Sequence, residues 1–370
     1  MSRRILALAM VVVLPSFAFA GPTKAEWQVV VDKAVAYLKA NQKPDGSWGG
    51  GPQAMGVSGI VVTGLLQTGT LPDADPAAKG LTYIEGLVNP KAGHIAGADP
   101  RVGLQNYVTS VNLMALVAAK RDAKYKAIVG SAADFLRKLQ WDDGEGKTEK
   151  DDFYGGAGYD SKSRPDLSNT HFFLDALKAA GAGKDDPAIK KAMVFVSRCQ
   201  NLKGEHNDQP WAGAINDGSF IYSAAGGGST KTSDEPGAPL SGYGSMTYAG
   251  IKSMIYAGIG KDDPRFKAAL GWAKKNYTLD KNPGMPNQLA SRGLYYYYTT
   301  FAKTMDVLGE DTFEDDKGVK HDWRADLFAA LAKRQKADGS WTNENDRWME
   351  GDPALVTGYC LIALGYCQPK

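Results

Sequence analysis

The sequence predicts an all-α fold, an (α/α)6 toroid in which six helical hairpins form an inner and an outer ring. Three observations lead to it. A helix-like stretch ending near a glutamine or its substitute recurs six times, and each copy is followed by a glycine-rich loop and a more apolar helix. No alternation of apolar and polar residues is long enough for a sheet. With 370 residues, 43% hydrophobic and 23% charged, the chain can form a packed core.

The first set of helices is amphipathic. Charged side chains such as Asp32, Lys39 and Arg137 give these helices a solvated face. We therefore expect them to form the outer ring, from residues 34–42, 80–88, 132–140, 192–200, 269–277 and 327–335.

The second set is apolar on nearly all sides, which indicates burial. We expect these helices to form the inner ring, from residues 57–69, 107–119, 167–181, 244–258, 292–309 and 352–366. Five copies place a hydroxyl residue at the same position near the start, namely Ser58, Thr109, Thr170, Thr247 and Thr357. The fifth copy has Thr299 and Thr300 instead, about one residue out of register.

The same turn, Gln-Lys-x-Asp-Gly-Ser-Trp, occurs near both ends of the chain. A glycine after aspartate suits a tight turn with positive φ. The tryptophan can cover helix ends, and the glutamine amide can satisfy backbone groups there. We expect a structural role for Gln42, Gly46, Trp48, Gln335, Gly339 and Trp341. An open solenoid would need polar capping repeats, so two similar ends favour a closed ring.

This turn resembles the QW repeat of squalene–hopene cyclases and of the wider prenyltransferase/squalene-oxidase repeat family. The superfamily also contains terpenoid cyclases and protein prenyltransferase β subunits. The resemblance covers about residues 25–366. It implies an α/α toroid with a central cavity lined by the inner helices, mostly apolar and aromatic.

Triterpene cyclases of this family carry D-x-D-D-T at the start of an inner helix, where the second Asp protonates an alkene or epoxide. The matching stretch here, 165–172, keeps Asp166 and Thr170 but has Ser168 and Asn169 in place of the two central acids. Protonating an alkene needs a strong, desolvated acid, which a serine hydroxyl cannot supply. We expect Asp166 to cap the helix.

The protein prenyltransferases of the superfamily hold zinc through Asp, Cys and His, but Val356 stands where the His should be. The histidines His94, His171, His206 and His321 are scattered without zinc spacing. Residues 226–232 lack the Gly-Lys-Ser/Thr order of a phosphate loop. Residues 141–152 lack the EF-hand order. We expect no metal and no cofactor.

Candidate catalytic residues form the densest polar cluster of the predicted inner ring: Asp166, Ser168, Asn169, Thr170 and His171. The run of four tyrosines at 295–298 covers all faces of a helix, so one or two should face the ring axis. The ligand-binding candidates are aromatic, Tyr159, Tyr243, Tyr248, Tyr295 and Tyr298, with core packing as the alternative.

The first twenty residues are typical of a secretory signal peptide. Arg3 and Arg4 precede an apolar stretch at 5–14, and Ala18 and Ala20 form an A-x-A site. The stretch is shorter than the roughly 20 residues that span a bilayer. We expect cleavage after Ala20, which would leave residues 21–370 as one domain in the periplasm, the cell envelope or the medium; a retained anchor is the alternative.

Only three cysteines are present, although export would allow disulfides. Cys360 and Cys367 would lie about 10 Å apart along a helix, beyond disulfide reach. At most one bridge, from Cys199, is expected, and three buried thiols are the favoured interpretation.

Two classes of function remain. The first is a monomeric binding protein that holds an apolar, glycan or protein ligand in or over the ring. The second is a divergent enzyme, either terpene-cyclase-like or polysaccharide-lyase-like, and for a lyase the available bases are Tyr298, His171 and Arg292. The missing D-x-D-D favours binding over cyclisation. With 43 basic and 41 acidic residues, nothing points to nucleic acid.

Overall fold

A computed structural model describes residues 21–99 and 104–369, and this part of the chain is mainly helical. The outer helices are α1 (Lys24–Ala40), α3 (Ala77–Gly86), α5 (Asp122–Arg137), α7 (Pro187–Arg198), α10 (Pro264–Lys275) and α12 (Trp323–Arg334). The inner helices are α2 (Ala54–Gln67), α4 (Gln105–Ala118), α6 (Leu167–Ala179), α9 (Gly244–Tyr256), α11 (Leu294–Leu308) and α13 (Pro353–Tyr366).

Short elements complete the described part of the chain. A one-turn helix, α8, spans Ala212–Ile215, and 3-10 turns lie at Gly51–Gln53, Asp143–Glu145, Asn287–Leu289 and Arg347–Met349. Two strands, β1 (Phe313–Glu314) and β2 (Lys320–His321), pair antiparallel with Phe313 opposite His321.

The predicted toroid is confirmed. The inner helices contact one another in a closed cycle, α2 to α4, α6, α9, α11, α13 and back to α2. The outer helices pack on this ring, and α1 contacts α13, which joins the two ends of the chain. The ring is therefore closed and is not an open solenoid.

The two rings bury different faces, as their sequences predict. In α2, every residue from Ala54 to Leu65 is buried, whereas α1 buries one stripe that includes Trp27, Val31 and Leu38. A helix that is apolar all round is stable only inside a core, and an amphipathic one covers it. The inner helices thus enclose the axis while the outer helices separate them from water.

Glutamines at the ends of outer helices join neighbouring repeats. Gln42 Nε2 donates to Gly46 O at 2.9 Å and to Pro76 O, before α3, at 3.0 Å. Gln335 Nε2 donates to Gly339 O at 3.0 Å and to Val30 O of α1 at 2.9 Å. Gln140 and Gln200 make the equivalent pairs of bonds. Each amide therefore ties its own loop to the next outer helix.

The tryptophans of the repeated turn cover helix ends, as expected. The indole N–H groups of Trp48 and Trp341, both fully buried, donate to Leu38 O at 2.8 Å and Leu331 O at 2.9 Å. Gly339 has φ +91°, and a Cβ there would lie 2.3 Å from Lys33 O. The turn therefore requires glycine both for its backbone conformation and for its close approach to α1.

The repeated hydroxyl has a structural role. Each one accepts a hydrogen bond from a backbone N–H of the preceding loop, at 3.0–3.3 Å. These residues are Ser58, Thr109, Thr170, Thr247 and Thr357. In the fifth repeat, Thr299 Oγ1 donates to Tyr295 O and Tyr359 O instead.

The three cysteines are free and buried, which agrees with the favoured interpretation. Within the described residues, no helix combines the length and the apolar character needed to span a membrane. The predicted signal peptide, residues 1–20, lies outside the described part of the chain.

Candidate functional site

The first two turns of the inner helices surround a cavity of about 280 Å³, here called the upper cavity. All six inner helices contribute to its lining. Aromatic side chains dominate it, from the helices and from the loops above them: Tyr107, Tyr159, Phe172, Tyr222, Tyr243, Tyr296, Trp348 and Tyr359. The cavity is the apolar, aromatic central space that the resemblance implies.

A second, smaller cavity of about 160 Å³ lies between the later turns of the same helices, and we call it the lower cavity. Its lining contains ionisable residues, namely His171, Asp175, Lys252 and Lys303. Phe172 and Tyr296 line both cavities, so these two rings form the wall between them.

A chain of polar contacts, here called the axial chain, crosses that wall. Ser168 Oγ lies 3.0 Å from Tyr296 Oη, which lies 2.5 Å from His171 Nε2. Lys252 Nζ lies 3.2 Å from His171 Nδ1 and donates to Asp175 Oδ2 at 2.7 Å. Lys303 Nζ lies 3.0 Å from the same Asp175 oxygen.

The axial chain consists of buried groups whose charges are coupled. Burial and the nearby Lys252 lower the pKa of His171 to about 4, so the imidazole is neutral at neutral pH. Burial also lowers the pKa of Lys252 to about 8, against the attraction of Asp175. Burial opposes ionisation of Asp175, but Lys252 and Lys303 hold its pKa well below the usual value. Two ammonium groups thus share one carboxylate.

The residues of the stretch that matches D-x-D-D-T lie in three different places. Asp166 caps α6, accepting from Asn169 N and Asn169 Nδ2 at 2.8 Å each. Burial raises the pKa of Asp166 to about 6, although these two bonds favour the anion. Thr170 supports the loop at Ala157 and donates to Asp166 O. Ser168 and Asn169 line the upper cavity, and His171 the lower one.

The predicted ligand-binding tyrosines are likewise divided. Tyr159 and Tyr243 line the upper cavity, whereas Tyr248, Tyr295 and Tyr298 are buried and line neither cavity. Within the run 295–298, it is Tyr296 that faces the axis. Among the bases considered for a lyase, Arg292 pairs with Asp234 at 2.7 Å, and Tyr298 bonds to Leu279 O.

One acid of the upper cavity was missed by the sequence reasoning. Glu350 is 1% exposed, accepts from Tyr296 N at 2.8 Å and from Asn343 Nδ2 at 2.5 Å. Burial raises its pKa to about 7, against these bonds. The two residues before it, Trp348 and Met349, have φ values of +59° and +65° and also line the cavity. Such strained backbone is frequent at functional sites.

The charged residues of the lower cavity were also missed, although the sequence contains a signal for them. Helices α2, α4 and α13 have no charged side chain at all. Asp175, Lys252 and Lys303 therefore stand out as charges in the interior of inner helices. In the described residues, no three His, Cys, Asp or Glu side chains meet in an arrangement that could hold a metal ion.

The closed double ring and its aromatic axial cavity define a terpenoid-cyclase-like α/α toroid. Residues 51–223 match the family model of the squalene-hopene cyclase C-terminal domain. The predicted resemblance to the squalene–hopene cyclase-like toroid family is thereby confirmed. A search of curated proteins found no significant match.

Solved structures share the fold along most of this chain. A variant of the type II terpene cyclase MstE from Scytonema, in complex with the product merosterolic acid A, has a TM-score of 0.55 and 15% identity, covering 94% of this chain and 98% of its own. Another MstE variant, in complex with the substrate geranylgeranyl dihydroxybenzoate, has a TM-score of 0.54 and 12% identity, with the same coverage. A glycosidase variant has a TM-score of 0.52 and 13% identity, covering 93% of this chain and 97% of its own. At these identities the likeness shows the fold alone.

Proposed function

We propose that the protein is an exported toroid that binds an apolar ligand in the upper cavity and lacks the proton donor of the cyclases. The aromatic lining of that cavity carries the proposal. Each ~100 Å² of apolar ligand surface removed from water stabilises a complex by about 2.5 kcal/mol, before the loss of ligand motion is counted. The size and lining of the cavity thus support an isoprenoid-like or other apolar ligand.

The surface around the cavity supports the same function. Two of the exposed large hydrophobic side chains in the described residues, Tyr159 and Met349, belong to the lining of the upper cavity. The others, Val29, Leu71 and Val319, do not line it. An apolar ligand could therefore reach the cavity past Tyr159 and Met349.

The site argues against cyclisation by the family's chemistry. At the donor position, Ser168 Oγ is bonded to Tyr296 Oη, and a hydroxyl is far too weak an acid to protonate an alkene. Asp166, the retained acid of the stretch, caps α6 and is absent from the lining of both cavities. We therefore infer binding without cyclisation.

The test uses the mature protein, residues 21–370, purified after export and analysed by native mass spectrometry with lipid extraction. We expect an apolar molecule to co-purify, or the C15 hydrocarbon farnesene to bind when added. Leu104→Trp, which would fill a half-buried position of the lining, should abolish binding. Leu71→Trp, the same substitution at a side chain that is 69% exposed, should not. A wild-type protein that is purified without a bound apolar molecule and does not bind added farnesene would contradict the proposal.

A second candidate function is acid catalysis on a ligand in the same cavity, and Glu350 supports it. Glu350 lines the cavity, and a pKa of about 7 leaves a large fraction of its carboxyl protonated at neutral pH. Its bonds to Tyr296 N and Asn343 suit a cap of α11 instead. Incubation with farnesene, followed by product analysis, separates the two roles. A product that disappears with Glu350→Gln would establish the enzyme.

A further inference from the structure

The donors and acceptors of the axial chain follow one order, which the charge of Lys252 determines. The ammonium of Lys252 can only donate, so His171 Nδ1 accepts at 3.2 Å. The competing acceptor for an Nδ1–H, Asp175 Oδ2, is farther away, at 3.6 Å. The neutral ring then carries its proton on Nε2 and donates it to Tyr296 Oη at 2.5 Å.

The direction continues to the upper cavity. Because Tyr296 Oη accepts from His171, its own proton is available to Ser168 Oγ at 3.0 Å. Ser168 Oγ is then an acceptor in that bond, and its remaining proton is free to point into the cavity that it lines. A hydroxyl polarised by a chain of hydrogen bonds is a stronger donor than an isolated one.

The neighbouring residue presents the complementary group. Asn169 is 1% exposed, lines the upper cavity and uses its Nδ2 to donate to Asp166. Its Oδ1 is buried and has no hydrogen-bond partner among the described residues. A buried acceptor without a partner is destabilising, so a ligand hydroxyl that donates to Asn169 Oδ1 would stabilise the complex.

We propose that Ser168 and Asn169 form a hydroxyl-recognition site, at which an apolar alcohol accepts a hydrogen bond from Ser168 and donates one to Asn169 Oδ1. An alcohol satisfies both groups, whereas a hydrocarbon satisfies neither and a carbonyl only the first. The inference rests on the proposed function, since it names the chemical class of the ligand of the upper cavity.

The experiment compares two C15 probes, farnesol and farnesene, by titration calorimetry with the mature protein. The measured quantity is the ratio of their dissociation constants. In Ser168→Ala, the preference for farnesol should fall about tenfold relative to wild type, the value of one good hydrogen bond. The affinity for farnesene should stay unchanged.

A matched pair of variants tests the axial chain itself. Tyr296→Phe should reduce the farnesol preference severalfold, since it removes the polarising partner of Ser168. Tyr297→Phe removes the hydroxyl of the next residue, which donates to Thr278 O. This variant should keep the wild-type preference for farnesol over farnesene. If Ser168→Ala weakens both probes equally, or neither, the hydroxyl site is wrong even though the cavity binds. If neither probe binds the wild type, the proposed function fails and this inference with it.

A measurement without ligand tests the direction of the chain. In nitrogen-15 NMR spectra of labelled histidine at pH 7, His171 is assigned by comparison with His171→Gln. We expect the neutral ring with its proton on Nε2. A proton on Nδ1 would reverse the chain, turn the Ser168 hydroxyl towards Tyr296 and overturn the inference.

Discussion

Asp175 holds together the most highly charged part of the core. Its carboxylate is 3% exposed and lies between Lys252 and Lys303, which come from two other inner helices. Taking these groups out of water is unfavourable, and their mutual attraction only offsets it while every partner is present. The cluster therefore makes stability depend on a single carboxylate.

We expect Asp175→Asn to lower the free energy of unfolding by about 3–5 kcal/mol, because two ammonium groups would lose their counter-charge. Denaturation in guanidinium chloride measures it. Asp306→Asn is the control, since Asp306 is 47% exposed and lies 4.0 Å from Arg324. Exposed pairs are worth less than about 1 kcal/mol. Equal losses in the two variants would contradict the importance of the buried cluster.

Protonation of His171 should destabilise the fold. An unfolded His binds a proton near pH 6.5, but the folded ring, facing Lys252 of α9, Tyr296 and Lys303 of α11 and Asp175 of α6, has a pKa of about 4. Between these values the unfolded state binds more protons, so the contribution of His171 to stability is lost as pH falls from about 6.5 to 4.

The loss should reach about 3 kcal/mol at pH 4. Asp166 and Glu350, whose pKa values are raised to about 6 and 7, change stability in the opposite direction, so total stability does not isolate the effect. The measurement is the difference in unfolding free energy between wild type and His171→Gln at several pH values. A difference that stays constant from pH 7 to 4 would show that the folded ring titrates normally.

Sequence reasoning located single residues only where local chemistry decides. The capping role of Asp166 was predicted because it needs only Asp166 and the start of its own helix. The inward side chain of the tyrosine run, Tyr296, was not singled out, because it depends on how α11 is rotated in the ring. Its partner Ser168 is 128 residues away, a contact that no local pattern contains.

At the scale of elements, the repeated loop determines how each hairpin joins the next. Both rings, the hydroxyl position and the turn at the chain ends could be read from the sequence, because each recurs at a regular place. The fifth repeat departs at the hydroxyl, and its loop is held by Asn282, which accepts from Ser245 N of α9 and donates to Arg292 O. This role of Asn282 was not foreseeable, since an asparagine in a loop has many local uses.

Three glycine-to-alanine variants separate the two constraints on the repeated turn. Gly339→Ala should lower the unfolding free energy by more than about 2 kcal/mol, because φ is +91° and a Cβ would clash with Lys33 O. Gly69→Ala has φ +101° but open space, so only the conformational cost of about 1–2 kcal/mol applies.

Gly130→Ala, within α5, has open space and ordinary backbone, and should stabilise by up to about 1 kcal/mol. Thermal and chemical denaturation of the three variants measure the order. If Gly339→Ala and Gly69→Ala lower the free energy of unfolding by the same amount, the close approach of Gly339 to α1 does not restrict this position.

On the scale of the whole molecule, the inner helices all run in one direction. Their first turns line the upper cavity and their later turns the lower one. Aligned helices have positive N-terminal and negative C-terminal ends. The buried acids Asp166 and Glu350 lie at the N-terminal ends, whereas Lys252 and Lys303 lie in the later turns. Asp175 also lies in the later turns, but two ammonium groups face this one carboxylate, so the net charge of the cluster there is positive and follows the polarity of the ring.

Ring closure makes a final prediction about the joints between repeats. Gln335 bonds to Val30 O of α1 as Gln140 bonds to Ala188 O and Gln200 to Arg265 O. In a closed ring, the contact between the last and first repeats should contribute as much to stability as a contact between internal repeats. At the free end of a solenoid, loss of the glutamine would change stability little.

We expect Gln335→Leu, Gln140→Leu and Gln200→Leu each to lower the free energy of unfolding by about 1–3 kcal/mol, because each leaves two backbone carbonyls without their donor. Equilibrium denaturation of the three variants provides the comparison. Gln28→Leu is the control, since Gln28 is exposed on α1 and donates to Asp32 of its own helix. If Gln335→Leu matched Gln28→Leu while the internal variants were destabilised, the two ends would be in contact without contributing to stability. A loss equal to the internal ones would show that the first and last repeats hold each other as firmly as any neighbours in the ring.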